Sequence, residues 1–409
     1  MKILMVSEDL PNPTLGGLGK HALTLAKAMV KTGHTVDFMG SKRHSDLISE
    51  LHRDGFSGEF LPDIKFPGGY WKEARLGIFN PLRRPVQARE LAQCILAYEG
   101  KYDAIHYHGH MPDVAAYVPR NINFIQTRHD QGADCLTHVR FRGGEICNSI
   151  DPSDCASCAN GGEPAGLWRT MISTTAVQQF RQRVMLGFAR HKTIFVSEML
   201  QRNIARSFGL GPWGQVVHNF VDAELISRIA PSQLAERADT EVFVAGRLCE
   251  PKGITEFLRL FVARSPPTLR VRVAGTGPDE AIIQATISND TIRLLGWLDY
   301  EQTIAAARAA DVIVVPSIWE EPCATTVLEA LCLGKQCHAL RRGGTPELVR
   351  YERYSGQLVL HDNLEDLVAS ISARDRYSQI ALRPISAPDY TGDVHQRIGD
   401  IIKVYEASR

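Results

Sequence analysis

The first forty residues limit the fold most. Lys2–Val6 is an apolar, strand-length run whose pattern is that of a strand buried on both faces. A loop from Ser7 to Gly19 follows, with Pro11, Pro13 and the run GGLG at Gly16–Gly19. Ala22, Leu25, Ala26, Met29 and Val30 then fall on one side of a helix predicted from about Lys20 to Thr32, which Gly33 stops. His34–Phe38 reads as the next strand. Strand, helix and strand in that order force a parallel pairing, because only a crossover returns the second strand in the first one's direction. The glycine turn lets backbone approach a ligand and aims amide N–H groups at it. It is not the dinucleotide fingerprint, since G-x-G-x-x-G is absent.

A second strand–helix series begins near the middle. Glu241–Ala245, Leu269–Ala274, Thr291–Leu295 and Val312–Val315 read as strands, with helices at Thr255–Ala263 and Tyr300–Ala310 between them. A length of 409 residues agrees with two domains of roughly 200. We place the boundary in the loop His218–Asp222. This gives a domain over 1–222, a second over 223–390, and a terminal amphipathic helix in 391–409 that packs back on the first. Ser41–Arg89, with Pro62, Pro67, Gly68-Gly69, Pro81 and Pro85, reads as loop insertions carrying Tyr70, Trp71 and Phe79.

Forty-six Lys plus Arg balance 46 Asp plus Glu, so no overall field draws the molecule to nucleic acid. The basic helix bearing Arg181, Arg183 and Arg190 reads as a solvated face. The N-terminus lacks a signal-peptide pattern, and no run approaches the ~18 apolar residues of a membrane span. Nine cysteines in that setting predict thiols or a metal site in a reducing cytoplasm.

Three features carry chemistry. His106, His108 and His110 follow the predicted strand Tyr102–Ile105, at the carboxyl end where α/β sheets bind ligands. No carboxylate or cysteine lies within that motif, so a histidine donating to a substrate oxygen is favoured over a metal. Next, Cys135, Cys147, Cys155 and Cys158 are spaced C-x11-C-x7-C-x2-C in a segment of 130–165 with too few apolar residues to fold itself. A tetrahedral structural zinc would supply the missing energy; unligated thiols and an iron–sulfur cluster are the alternatives. Finally, Pro322 suits a first helical turn after the strand Val312–Val315, and Gly334 its end. Glu321 and Glu329 would then stand roughly 12 Å apart, about the reach from a sugar through a diphosphate to a ribose.

The runs GGLGKH (Gly16–His21), VVHNFVD (Val216–Asp222), VAGRLCEPKG (Val244–Gly253) and PSIWEEPCATTVLEALCLGKQ (Pro316–Gln336) together resemble retaining glycosyltransferases of family 4, also called group 1. The resemblance spans nearly the whole chain. It implies a GT-B fold, two Rossmann-like doubly wound domains facing across a cleft, with a nucleotide-diphosphate sugar on the second and an acceptor on the first. It assigns Arg247 and Lys252 to the diphosphate, Gly16 and Gly17 to the same phosphates, Glu321 to the sugar and Glu329 to the ribose. Thr325 and Gly277 complete the donor set. His108 is assigned to the transferred sugar, with His106 second, and Asn219 to the interdomain loop. A hexosyl transfer with retention is implied, with no cofactor for catalysis: no D-x-D run holds a cation, so fixed cations must carry the leaving phosphate. The acceptor would be a small molecule, glycan or glycolipid, in surface polysaccharide, lipopolysaccharide or natural-product glycoside synthesis. Loose membrane association is compatible with this. The rival readings are a sugar-nucleotide-binding protein without turnover and an epimerase of the same fold. Cys323 departs from the family's usual Phe-Gly.

Overall fold

The computed structural model describes residues 1–10, 16–42, 48–53, 55–64, 84–159, 161, 167–209, 211, 213–233, 238–264, 266, 268–286, 291–373 and 390–407. Pro11, Pro13, Pro67, Gly68, Gly69, Tyr70, Trp71, Phe79 and Pro81 lie outside them. Two compact units form. One comprises Met1–Arg140, Cys147–His218 and Arg397–Arg409, and the other Phe141–Ile146 with Asn219–Gln396.

In the first unit the strands are β1 (Lys2–Val6), β2 (Thr35–Ser41), β3 (Phe60–Ile64), β4 (Ala104–His108) and β5 (Phe124–Arg128). Next in sequence comes an antiparallel pair that belongs to the second unit, β6 (Phe141–Arg142) and β7 (Glu145–Ile146), and then the first unit's β8 (Lys192–Phe195) and β9 (Gln215–Val216). The first unit's sheet runs in the order β3-β2-β1-β4-β5-β8-β9. Its pairings are parallel throughout. Parallel strands buried on both faces must be continuously apolar, and Ile3, Leu4, Met5 and Val6 are all 0% exposed. Leu4, Val6, Ile105 and Tyr107 pack with Leu91 and Ile95 of the helix Arg84–Leu96 and with Val114. Each such side chain contributes roughly 1.5–3 kcal/mol on burial. The stretch read as loop insertions holds regular structure as well, namely the helix Ile48–Arg53 and strand β3. Their short lengths and the prolines around them hid both.

The second unit's sheet joins β10 (Thr240–Ala245), β11 (Leu269–Ala274), β12 (Ile292–Gly296), β13 (Val312–Val315), β14 (Gln336–Leu340) and β15 (Leu358–His361). All pair in parallel, in the order β12-β11-β10-β13-β14-β15. Val242, Val244, Val271, Val273, Val312 and Val314 stack on Phe257, Leu258 and Phe261 of the helix Ile254–Arg264. In each sheet the strand order reverses beside its first strand, between β1 and β4 and between β10 and β13. Loops diverge above that point, and ligands bind there in open α/β sheets.

The helix expected at Pro322 begins three residues later, at Thr325, with Ala324 as its N-cap. Glu321 therefore sits in the loop and Glu329 in the second turn, so the helical-rise ruler between them does not apply. The basic helix is Leu167–Arg190, and its arginines serve the interior. Arg183 pairs with buried Asp113 at 3.3 Å, Arg190 bonds the Ala116 carbonyl at 2.6 Å, and Arg181 bonds the Asp134 carbonyl at 3.2 Å. No helix of the described residues is long and apolar enough to cross a membrane.

Candidate active site

In the second unit, three loops meet above the β10/β13 reversal: Gly246–Gly253, Gly275–Gly277 and Pro316–Ala324. Backbone bonds lace them together, from Leu248 N–H to the Thr276 carbonyl at 3.0 Å and from Ile318 N–H to the Pro251 carbonyl at 3.0 Å. Glycine is required at Gly253, which has φ +65° and where a Cβ would lie 2.2 Å from the Pro316 oxygen. Gly277 lies so close to Leu248 that a Cβ would stand 2.2 Å from that carbonyl oxygen. Its first role is thus to let the loops approach.

The loops converge on Glu321. Lys252 Nζ donates to both of its carboxylate oxygens, at 2.9 and 2.7 Å, while Ser317 Oγ and Trp319 Nε1 donate to Oε2 at 2.9 and 3.0 Å. Lys252 also lies over the Trp319 ring at 5.4 Å. Burial alone would raise the Glu321 pKa, but Lys252 and these hydrogen bonds outweigh it and hold the carboxyl below its ordinary value. Arg247, after β10, is exposed. Asn219 Nδ2 bonds the Cys323 carbonyl at 3.0 Å, which pins the residue that departs from the family pattern. Thr325 opens the helix, and Glu329 is 8% exposed within it; burial first, and then the Glu329 carboxylate, push the Tyr300 phenol well above its ordinary pKa.

The first unit presents two features at the β1/β4 reversal. Gly16 and Gly17 begin the helix Gly17–Lys31 without a side-chain cap, are exposed, and have no atom within 4 Å of where a Cβ would stand. Backbone N–H groups are thus presented bare, as at an anion site. Beside them stands a chain of imidazoles. Strand β4 extends to His108, three residues past its predicted end, so strand alternation puts His106 and His108 on one face and Tyr107 on the other. His108 Nδ1 is 3.1 Å from His129 Nε2, and His108 Nε2 is 3.2 Å from His106 Nδ1. His106 also meets Tyr405 Oη and Thr127 Oγ1, each at 2.7 Å. The His21 ring lies 4.7 Å from that of His129.

Burial keeps these rings neutral. His21 and His106 are each lowered to about 3, and His108 and His129 fall well below their ordinary value.

His108, assigned to the sugar by the resemblance, is 0% exposed, and so is His106. Strand pleating turns both into the interior, so neither is a surface contact. His129 is the partly exposed end of the chain. Its sequence signal was position alone, directly after a strand at the binding edge of the sheet. Ser317 and Trp319 had no such signal.

The third histidine of the cluster, His110, turns elsewhere. Its Nε2 lies 3.3 Å from Asp9 Oδ2 and its Nδ1 3.2 Å from Asp130 Oδ2, and His138 Nδ1 reaches the same Asp130 oxygen at 3.0 Å. Burial opposes charge on His110, but the two carboxylates outweigh it and hold the ring well above its ordinary pKa. The four clustered cysteines form no disulfide, and Cys155 and Cys158 lie one turn apart on the helix Pro152–Ala159. Burial raises the Cys155 pKa, and Cys135 and Cys147 add to the shift as neighbours.

Comparison with known proteins agrees with this layout. The chain matches the family model "Glycosyltransferase Family 4" over residues 15–225 and "Glycosyl transferases group 1" over 227–373. It is 22% identical to an uncharacterized 42.6 kDa protein in the cps region of Klebsiella pneumoniae, over 86% of this chain and 88% of that one. It is also 22% identical to an uncharacterized glycosyltransferase of Methanocaldococcus jannaschii, over 86% of this chain and 83% of that one. Anabaena HepE in complex with UDP and glucose superposes with TM-score 0.64 at 16% identity, covering 100% of both chains. The lipopolysaccharide outer core galactosyltransferase WaaB gives 0.60 at 12% identity, again over 100% of both. Two parallel doubly wound units and two family matches that adjoin end to end lead to one conclusion: the chain belongs to glycosyltransferase family 4 and has the GT-B fold.

Proposed function

We propose that this glycosyltransferase moves a hexose from a nucleotide-diphosphate sugar to an acceptor hydroxyl with retention of configuration and no metal ion in the chemistry. The observation carrying this reading is the Glu321 carboxylate, held ionised and oriented by Lys252, Ser317 and Trp319 above the sheet's reversal point. Such a carboxylate accepts sugar hydroxyls. Lys252 and exposed Arg247 offer the fixed charge that a departing diphosphate needs. Glu329, Thr325 and Gly277 line the same loop system and serve the ribose and phosphates. The bare amides of Gly16 and Gly17 are a second phosphate contact. We assign the N-domain histidine's role to His129, the partly exposed end of the imidazole chain, with His108 and His106 standing behind it. The acceptor oxygen attacks the anomeric carbon on the face the phosphate leaves, the C–O bond to phosphate breaks, and the leaving phosphate oxygen takes the acceptor's proton.

UDP-sugars come first among donors, because HepE is described with UDP and glucose. The Klebsiella relative in a cps region supports surface polysaccharide over other acceptors. Cysteines without disulfide pairing suit a cytoplasmic site. The test is turnover of UDP-, GDP- and ADP-sugars with the product's anomeric configuration read by NMR. Arg247→Ala should lower donor kcat/KM by about 10²–10³-fold. Unchanged turnover in that variant, or an inverted product, overturns the reading; tight donor binding without turnover would mean a binding protein.

We also propose a structural zinc on Cys135, Cys147, Cys155 and Cys158. Arg140 N–H donates to Cys135 Sγ and Arg181 to Cys155 Sγ, each at 3.3 Å, the kind of donor that steadies a thiolate. Among the described residues, the groups that bring three ligand atoms within 4.8 Å contain no cysteine. An ion would draw the sulfurs to the ~3.8 Å spacing that Zn–S bonds impose. Elemental analysis of wild type and Cys155→Ser decides it, and a folded protein free of zinc sinks it.

A further inference from the structure

His110, Asp130 and His138 come from three places in the first unit: the turn after β4, the turn after β5, and the cysteine-bearing insertion. Their ligand atoms lie within 4.8 Å of one another. Both imidazoles aim Nδ1 at a single oxygen, Asp130 Oδ2, at 3.2 and 3.0 Å. Two donor atoms bound at ~2.1 Å around a tetrahedral ion sit about 3.4 Å apart, and the two spacings to Oδ2 are close to that.

The surroundings are built for this arrangement. Asp130 Oδ1 is occupied by the Gly132 N–H at 2.8 Å, which leaves Oδ2 directed at the two rings. Gly132 is the residue that makes room, since a Cβ there would stand 2.3 Å from His138 Nδ1. His138 itself adopts φ +67°, a left-handed backbone unfavourable for a non-glycine residue, and Arg140 follows at φ +47°. Behind His110, Asp9 accepts from Nε2 at 3.3 Å. A carboxylate on the far nitrogen is the partner that orients a metal-bound imidazole and raises its basicity. The three side chains are 25%, 22% and 13% exposed, which leaves coordination positions open to water.

We propose that His110, Asp130 and His138 form a divalent transition-metal site, distinct from the cysteines, that clasps the insertion to the binding edge of the first sheet. Two imidazoles and one carboxylate suit zinc, iron or cobalt better than the hard ions magnesium and calcium. The absence of a carboxylate within the His106–His110 run hid the site, because Asp130 and His138 reach it only through the fold. This is separate from sugar transfer, and its test uses no donor or acceptor.

The full chain is stripped with chelator, then titrated with Zn²⁺ and with Co²⁺, following stoichiometry by elemental analysis and ligand type by cobalt absorption. The expected result is one ion beyond any held by the cysteines, with a spectrum that lacks thiolate charge transfer, and this ion is retained in Cys155→Ser. In His138→Ala that ion is lost or bound at least about 10²-fold more weakly, while Asp9→Asn keeps the stoichiometry and weakens affinity about 10–100-fold. Because His138→Ala could disturb the insertion, His110→Asn, at the end of the core sheet, is measured beside it with circular dichroism as the folding control. No ion on wild type, equal binding by both folded histidine variants, or loss of all metal in Cys155→Ser overturns the proposal.

Discussion

Removing Lys252 tests the organisation of the candidate donor site most directly. Its ammonium lies 2.9 and 2.7 Å from the two oxygens of Glu321, and the side chains are 28% and 12% exposed. At an effective dielectric near 20, the gross attraction over ~2.8 Å is about 6 kcal/mol. Desolvation of both ions and ordering of the lysine offset most of it. Ser317 and Trp319 also keep the carboxylate partly satisfied once Lys252 is gone. A net cost of about 1.5–3 kcal/mol remains for Lys252→Ala, the range of hydrogen bonds to charged groups. In a unit of this size that lowers Tm by about 3–12 °C.

The sign with pH follows from Glu321. Its folded pKa lies below the ordinary carboxylate value, so its contribution is present above the unfolded pKa, and it is lost as pH falls through the folded one. The gap between wild type and Lys252→Ala should therefore be widest near neutrality and close below about pH 4.5. A double-mutant cycle with Glu321→Gln, read by thermal unfolding at neutral and at about pH 4, should show coupling that fades on acidification. Additivity within about 0.5 kcal/mol at neutral pH, or a gap indifferent to pH, would refute the reasoning.

Two further outcomes follow from the same geometry. Gly253→Ala places a Cβ 2.2 Å from the Pro316 oxygen at φ +65°, and should cost more than about 2 kcal/mol in urea unfolding. A change under ~0.5 kcal/mol would mean that the loop is not packed as described. His21 and His106 titrate near 3 when folded, so between about pH 6.5 and that value the unfolded chain binds protons that the native one refuses. Stability should fall on acidification by up to ~1.4 kcal/mol per pH unit for each ring, and His106→Gln should flatten that slope by about one ring's share.

Local pattern was enough to find the two parallel sheets, because a doubly buried strand must be continuously apolar and a crossover helix must carry a 3.6-residue stripe. Thus β1 and β13 begin and end where the apolar runs Lys2–Val6 and Val312–Val315 do, whereas β11 (Leu269–Ala274) carries Arg272, which is buried against Glu241. Short elements without that pattern escaped, as with Ile48–Arg53 and the late start of the helix at Thr325. Arg247, Lys252 and Glu321 could be singled out because they are charged residues in loops at strand ends, and the fold brings Lys252 and Glu321 into contact. What surrounds them could not. Ser317 and Trp319 on Glu321, and Thr127 and Tyr405 on His106, are meetings between residues that are unremarkable in sequence.

The amino-acid sequence alone therefore determined the layered α/β architecture and which loops carry charge, since periodicity and residue type act locally. Only the tertiary structure decided which histidine faces outward and which carboxylate each one meets. Strand pleating sent His106 and His108 inward and left His129 at the rim. The convergence of two strand ends and an insertion gave His110 the Asp130 and His138 partners that no spacing along the chain could specify.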